Sequence, residues 1–238
     1  MTSQKHGASA LGLQRVLGLG SYRTAWTWLH KLRRAMVRPG RDALSGTVEV
    51  DETYVGGLAE GKRGRGADHK ALVVIAAEEA GKGIGRIRMA RVADASARSL
   101  EGFVQSAVVP GSQIHTDGWD GYAGLPVLGY AHEVTVLRGL DSSAPAKLLP
   151  RVHRVAALLK RWLLGTHQGA VRPDHLDYYL DEFTFRFNRR TSRSRGKLFY
   201  RLIQQAVQVE PFPYRNMVGG KPLAPPLSNQ LGVLSSTA

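Results

Sequence analysis

Four polar residues occupy positions where their side chains could do chemistry on a phosphate group. Asp51 interrupts a stretch rich in β-branched residues, and Asp117 precedes a glycine at the end of a short apolar stretch. Carboxylates on two neighbouring strands can hold Mg²⁺, which prefers oxygen ligands. His153 and Lys160 follow in a segment with helical periodicity and would lie two turns apart on one face. A helix supplying a third ligand and a lysine would suit phosphoryl transfer.

Each of these residues also has an ordinary structural explanation. Acidic residues usually lie on the surface, and we expect this of Glu49 and Glu52, which flank Asp51. Asp117 could occupy a β-turn, where aspartate is favoured. The histidine and the lysine could be solvated residues on a half-exposed helix. The isolated pattern therefore leaves a metal site and a solvated surface open.

The charge balance of the chain favours a polyanionic partner. The 238 residues include 33 Lys and Arg against 19 Asp and Glu, which gives a net charge of +14. Such an excess is typical of nucleic-acid binding, although a structural RNA-binding protein would share it. The chain has no cysteine, which excludes disulfides and a cysteine zinc site, so no zinc is expected. It has no apolar run of membrane-spanning length, and we predict a cytoplasmic protein with no membrane partner.

Residues 1–45 are predicted to form a small helical module with a linker. A short helix precedes Gly18 and Gly20, and Ser21 is a plausible N-cap for a second helix with a basic end. Two short helices around a glycine turn fit a helix-turn-helix that binds DNA. They fit equally well an ordinary helical hairpin that packs on the main domain.

The remaining elements predict an α/β fold over residues 46–208. Strands are expected at 46–57, 71–80 and 84–92 as an antiparallel meander, then a helix at 96–108, short strands within 110–119 and at 132–137, a helix at 148–167 and mainly helix to 208. This order suggests a mixed sheet with helices on its faces, as in ribonuclease-H-like folds. Residues 209–238 are rich in Pro, Gly and Ser and are predicted to be a flexible tail.

The helix at 148–167 carries two adjacent faces of different character. Its apolar stripe is predicted to consist of Val152, Ala156, Leu159 and Leu163. His153 and Lys160 lie on the neighbouring face. The helix would therefore pack on the sheet and present the histidine and the lysine beside it.

Four blocks of the sequence resemble the DDE-type transposases of bacterial insertion sequences. They are VEVDETYVGG, HTDGWDGY, and HRVAALLKRWLLGTHQG followed by YLDEFTFRFNRR. The branch that they resemble carries a zinc ribbon, a helix-turn-helix and a ribonuclease-H-like catalytic domain, and the resemblance covers roughly residues 10–205. It implies that Asp51 and Asp117 are catalytic metal ligands. The family's third acid falls at His153, and its helix lysine falls at Lys160.

The resemblance implies strand cleavage and strand transfer at the ends of an insertion sequence, through two-metal phosphoryl transfer. The cofactor would be Mg²⁺, for which Mn²⁺ would substitute. The partners would be double-stranded transposon ends and target DNA in the nucleoid, bound by a homodimer or larger assembly. Cationic residues would bind the duplex backbone, namely Lys62, Arg63, Arg65, Lys160, Arg161, Arg186, Arg189, Arg190, Arg193 and Arg195.

Two departures from the family pattern supply an alternative. The third metal-binding position is His153 instead of glutamate, and the absence of cysteine means that the zinc ribbon is missing from this sequence. Glu182 is either a compensating acid or, as we favour, a structural helix charge. The main alternative function is a catalytically inactive, decayed or co-opted transposase that still binds DNA. Another ribonuclease-H-like nuclease, such as a junction resolvase, is a second alternative.

Overall fold

A five-stranded mixed sheet lies at the centre of the protein. This computed structural model describes residues 6–37, 40–56, 70–135, 148–169 and 171–218, with the backbone alone at Arg195. The strands are β1 (Thr47–Val55), β2 (Ala71–Ala80), β3 (Gly83–Val92), β4 (Gln113–Thr116) and β5 (Ala131–Val134). Their order is β3-β2-β1-β4-β5, with β1 to β3 antiparallel and β4 and β5 added in parallel. The predicted meander and the ribonuclease-H-like mixed sheet are confirmed.

Helices flank the sheet and precede it. They are α1 (Ala10–Leu17), α2 (Tyr22–Ala35), α3 (Ala97–Ala107), α4 (Pro150–His167), α5 (Leu176–Asn188), α6 (Arg195–Ala206) and α7 (Tyr214–Val218), with short 3-10 turns at Asp120–Tyr122 and Pro173–His175. Ser96 is the N-cap of α3, and its hydroxyl accepts the Ser99 amide at 3.4 Å. Within the described ranges, no helix is long and apolar enough to cross a membrane.

The two faces of the sheet are covered by different helices. In β2, which lies between β3 and β1, Val73 and Ile75 face the cluster formed with α4 and α5, whereas Val74 and Ala76 face the cluster formed with α3. Side chains alternate along a strand, so β2 is apolar on both sides because both of its faces are covered. Its partner β1 follows the same alternation. Asp51 pairs with Ile75 and therefore lies on the α4 side of the sheet.

The helix α4 packs on the sheet with a slightly different stripe from the predicted one. Its buried residues are Val152, Val155, Leu159 and Leu163. The predicted member Ala156 is partly buried and packs against the same cluster. Compared with the predicted stripe, the observed apolar stripe is rotated around the helix axis toward Val155. His153 lies at the edge of this stripe.

The N-terminal helices pack against the main domain, as the helical-hairpin interpretation expects. The buried guanidinium of Arg33 on α2 forms a 2.7 Å ion pair with the buried carboxylate of Glu182 on α5. The imidazole of His30 is enclosed by aromatic rings, with ring centroids 4.0 Å from Trp26 and 4.6 Å from Tyr178. This junction ties α2 to α5 through polar residues that are fully enclosed.

Part of the predicted flexible tail is ordered by contacts with α2 and the second 3-10 turn. Met217 of α7 is buried, and its carbonyl oxygen lies 3.1 Å from His175 Nε2. The guanidinium of Arg34 lies over the Phe212 ring at 4.0 Å from its centroid. Phe212 and Met217 provide these contacts, which the amino-acid composition of the tail alone does not predict. Residues 219–238 lie outside the described ranges.

Candidate active site

Asp51 and His153 approach each other where α4 crosses β1. Asp51 Oδ2 lies 3.8 Å from His153 Nδ1, and the side chains are 19% and 30% exposed, respectively. Asp51 Oδ1 accepts the Glu52 amide at 2.8 Å, which helps to orient the carboxylate. A separation of 3.8 Å is too long for a hydrogen bond. The two groups therefore face each other without a direct bond, in a position that solvent reaches.

The His153 ring has a nitrogen that no described residue satisfies. Its Nε2 atom is buried and has no hydrogen-bond partner among the described residues. Burial lowers the pKa of His153, and the carboxylates of Glu49 and Asp117 partly oppose this, while Lys160 adds to it. The imidazole is therefore neutral near pH 7. A neutral imidazole beside carboxylates is the form that can ligate a metal ion.

Asp117 lies directly after β4, which runs parallel to the first half of β1. The last paired residues of the two strands are Glu49 and His115. The carboxylate of Asp117 is close enough to His153 to raise the pKa of its imidazole. Asp117 Oδ1 accepts the Trp119 amide at 3.1 Å, and Gly118 between them has a φ of 79°, which favours glycine. The turn thus holds the carboxylate at the strand end.

The three predicted ligands therefore converge on one region without forming a finished ligand set. Across the described residues, no group of three or more His, Asp or Glu side chains has the spacing to hold a metal ion. The donor types nevertheless fit a divalent cation, because two carboxylates and a neutral imidazole, whose Nδ1 atom faces Asp51, are present. The fit rests on Asp51 and His153 in contact range and on Asp117 beside them.

Glu49 was predicted to be a surface charge, and this is wrong. Its side chain is 2% exposed and lies on the same face of β1 as Asp51. Its carboxylate accepts hydrogen bonds from the backbone of Arg151 and Val152 at the start of α4. The prediction failed because β1 is a central strand whose face is covered by a distant helix.

Glu52 is also not a plain surface charge. It is partly buried on the opposite face, where the Tyr122 hydroxyl donates to its Oε2 at 3.1 Å. Burial raises the pKa of Tyr122 well above its usual range, and the charges of Glu52, Asp51 and Asp117 raise it further. The phenol therefore stays protonated and remains a donor. Tyr122 is fully buried, so its ring packs in the core.

Lys160 is exposed and lies near Asp51 and His153. Burial lowers the pKa of its ammonium group and the charge of Lys70 lowers it further, while Asp51 raises it. Asp51 is thus close enough to act on this lysine. Arg161, the next residue, is also exposed and lines a groove of about 1060 Å³ between α1, α4 and α5.

Residues 43–188 match the family model of the ISXO2-like transposase domain, which covers more than half of the chain. The chain belongs to this family. The match begins just before β1 and ends at the last residue of α5, so it contains the whole sheet and every candidate metal ligand. The resemblance to DDE-type insertion-sequence transposases is confirmed. A search of the curated proteins found no match.

Membership in a transposase family implies DNA as the partner and, for DDE transposases in general, a divalent metal. The described DNA-binding candidates of this transposase domain differ in their surroundings. Arg193, Lys160 and Arg161 are exposed. Lys62, Arg63 and Arg65 lie outside the described residues, as does the side chain of Arg195.

Three arginines at the end of α5 contact the protein itself. Arg186 lies 4.0 Å from Glu182, and Arg189 covers the Phe185 ring at 4.1 Å from its centroid. Arg190 covers Phe187 at 4.1 Å and also donates to the Phe187 carbonyl at 2.9 Å. Each of these three arginine side chains therefore has a role in packing, which is separate from the DNA binding that was predicted for it.

Glu182 lies at the junction with α2, and not with Asp51 and His153. Its side chain is 0% exposed and is paired with Arg33. The structural interpretation of this acid is therefore supported, and a compensating role in metal binding is not. Gly7 reinforces the packing here, since a Cβ at that position would meet Glu182 Oε1 at 2.8 Å.

Proposed function

We propose that the protein is a DNA transposase that catalyses metal-dependent strand cleavage and strand transfer at the ends of an insertion sequence. The observation that carries this proposal is the approach of His153 to Asp51 within a transposase domain, with Asp117 in electrostatic range of the imidazole. A carboxylate on the central strand, a neutral imidazole on the crossing helix and a second carboxylate on the neighbouring strand supply the donors for a divalent cation.

In this proposal Asp51, Asp117 and His153 hold the metal. A bound divalent ion would neutralise phosphate charge and lower the pKa of a water molecule. An imidazole in place of a third carboxylate favours Mn²⁺ relative to Mg²⁺, because Mg²⁺ prefers oxygen ligands. We therefore expect Mn²⁺ to support the reaction better.

The remaining residues of the site bind and orient DNA. Lys160 reaches solvent beside Asp51, so its ammonium group can contact a phosphate near the scissile bond. The predicted cationic set around it would bind the duplex backbone, and affinity would fall steeply with salt concentration. Since transposition joins two ends to a target, a homodimer or larger assembly on DNA is part of the proposal, as is a cytoplasmic, nucleoid-associated site of action.

The decisive test is a nicking and strand-transfer assay on supercoiled plasmid that carries the terminal repeats of the source element. With Mn²⁺, the parent protein is expected to nick the repeat ends and to transfer them. Asp51→Asn should lower the nicking rate by about 100- to 1,000-fold, the loss typical when a group that stabilises transition-state charge is removed. The matched control is Asp174→Asn, because Asp174 is exposed and pairs only loosely with Arg172, at 3.6 Å.

Circular dichroism and thermal unfolding should show that Asp51→Asn remains folded. Nicking by Asp51→Asn at the rate of the parent protein would contradict the site assignment.

A second candidate is an inactive, transposase-derived protein that binds DNA. The imidazole at the third position favours it, because His153 is a weaker ligand for Mg²⁺ than a carboxylate. Salt-dependent DNA binding without any nicking in Mg²⁺ or Mn²⁺ would support this candidate over the enzyme.

A further inference from the structure

Glu49 is a buried carboxylate whose hydrogen bonds all lead to the start of α4. Its Oε2 atom accepts the Arg151 amide at 2.7 Å and the Val152 amide at 3.0 Å, and its Oε1 atom accepts Arg151 Nη1 at 2.7 Å. Burying a carboxylate is costly unless it is paired and hydrogen-bonded. Among the described residues, the first turn of α4 supplies all the hydrogen-bond partners of this carboxylate.

The first turn of α4 depends on this outside acceptor. The first amide groups of an α-helix have no partner within the helix and are usually capped by a polar N-cap side chain. In α4 the N-cap is Leu149, which makes no side-chain capping bond, and the first turn contains no acid. Glu49, on a strand far away in sequence, takes the place of the N-cap side chain and places negative charge at the positive end of the helix.

The same contact sets the position of the metal-binding pair. Glu49 and Asp51 project from one face of β1, two residues and about 7 Å apart. Val152 and His153 are consecutive residues of α4. The bond from Glu49 to the Val152 amide therefore lies next to the approach of His153 to Asp51, and any slide or rotation of the start of α4 would change that approach.

We propose that Glu49 is a positioning residue that fixes His153 against Asp51 and so sets the affinity of the site for a divalent cation. This inference rests on the proposed function, because it takes Asp51 and His153 as ligands. The carboxylate of Glu49 is occupied by hydrogen bonds from Arg151 and Val152, so Glu49 is not assigned as a ligand.

Glu79 provides a matched control. Its Oε1 atom accepts Arg151 Nη2 from the same guanidinium group, but it bonds to no amide of α4 among the described residues. Glu79→Ala therefore removes a carboxylate from Arg151 and leaves the helix cap in place. Glu49→Ala removes both the charge and the cap.

The first measurement needs no metal. Hydrogen exchange of the Arg151 and Val152 amides, followed by NMR in the metal-free protein, should accelerate at least about tenfold in Glu49→Ala, since the amides lose their acceptor. The same amides should exchange at the parent rate in Glu79→Ala. Unchanged protection in Glu49→Ala would overturn the assigned cap.

The second measurement is Mn²⁺ binding, followed by the electron paramagnetic resonance of the free ion. Glu49→Ala should weaken Mn²⁺ binding by about 10-fold, the lower end of the loss seen when a partner behind a metal ligand is removed. Glu79→Ala should stay within about twofold of the parent. Glu49→Gln keeps one acceptor oxygen and should fold and bind with intermediate affinity, which provides the test if Glu49→Ala does not fold.

The outcomes separate this inference from the proposed function. Mn²⁺ binding that requires Asp51 but is equal in the Glu49 and Glu79 variants would overturn the positioning role alone. A folded parent protein that binds no Mn²⁺ through Asp51 would overturn the proposed function and this inference together.

Discussion

Two places in the fold combine a carboxylate with a basic side chain, and they differ in how closely the two groups are paired and in how far they are exposed to solvent. At the junction of α2 and α5, Arg33 and Glu182 are 1% and 0% exposed as residues and are 2.7 Å apart. Where α4 crosses β1, Asp51 and His153 stay 3.8 Å apart and partly open to solvent. The first pair is a buried ion pair, whereas the two groups of the second are too far apart for a hydrogen bond with each other and are reached by solvent.

The imidazoles of His30 and His153 differ in the same way, through the groups that surround them. Both ring nitrogens of His30 and one of His153 are buried without a hydrogen-bond partner among the described residues. His30 is surrounded by aromatic rings and by the cation Arg33, so its ring acts as a packing group. His153 lies among carboxylates. An unsatisfied imidazole therefore does not identify a metal site unless anionic oxygens lie beside it.

Breaking the Arg33–Glu182 ion pair between α2 and α5 is expected to give the largest change in stability. Arg33→Met should lower the free energy of unfolding by about 3–5 kcal/mol, because it leaves the carboxylate of Glu182 buried without its main cation. The matched control Arg172→Met, at an exposed ion pair, should cost less than about 1 kcal/mol. Urea denaturation at pH 7 measures both. A loss below 1 kcal/mol for Arg33→Met would show that the junction contributes little.

The pH dependence of stability should report the buried imidazole of the junction. Burial, followed by the charge of Arg33, lowers the pKa of His30 from 6.5 to about 2. Below pH 6.5 the His30 imidazole binds a proton in the unfolded chain but stays neutral in the folded protein. The contribution of His30 to stability is therefore fully present above pH 6.5 and is lost as the pH falls toward 2. Between pH 6.5 and 5 this residue alone should cost about 2 kcal/mol.

His30→Phe keeps an aromatic ring and removes the titration. Its free energy of unfolding should therefore fall less between pH 6.5 and 5 than that of the parent, by about the same 2 kcal/mol. Urea denaturation at the two pH values gives the difference, which does not depend on how much the variant is destabilised overall. Parallel pH profiles for the two proteins would show that His30 is not held neutral.

The smallest expected effect is a change of metal preference at the proposed site. His153→Glu replaces an imidazole by an oxygen ligand, which Mg²⁺ prefers. The ratio of Mg²⁺- to Mn²⁺-supported nicking should rise by about tenfold, equivalent to about 1.4 kcal/mol. Plasmid nicking with each metal measures it, with His132→Glu, at the edge strand β5, as the control. An unchanged ratio would remove His153 from the ligand set.

The sequence predicted the elements whose periodicity is local. The continuous apolar run from Ala71 to Ala80 gave β2 with both bounds correct, because both faces of that strand are buried. Asp51 was placed on its face by alternation alone, and the helical phase of His153 and Lys160 placed them on the flank of α4. These inferences need only the geometry of one strand or one helix.

Long-range packing decided the residues that were misjudged. Nothing near Glu49 in the sequence indicates that the amides of Arg151 and Val152 will cover it. The arginines at the end of α5 were indistinguishable from solvated cations until the rings of Phe185 and Phe187 were placed beneath them. Their partners are defined only when helices and sheet are assembled.

The capping of α4 by Glu49 has a consequence for biosynthesis. The acceptor and its amides are 102 and 103 residues apart, so the contact forms only after the chain through α4 has been made. A polypeptide released before that point would contain both aspartates but neither His153 nor the helix that holds it. Incomplete translation products would therefore lack the assembled site, and the proposed ligands would come together only once the domain is complete.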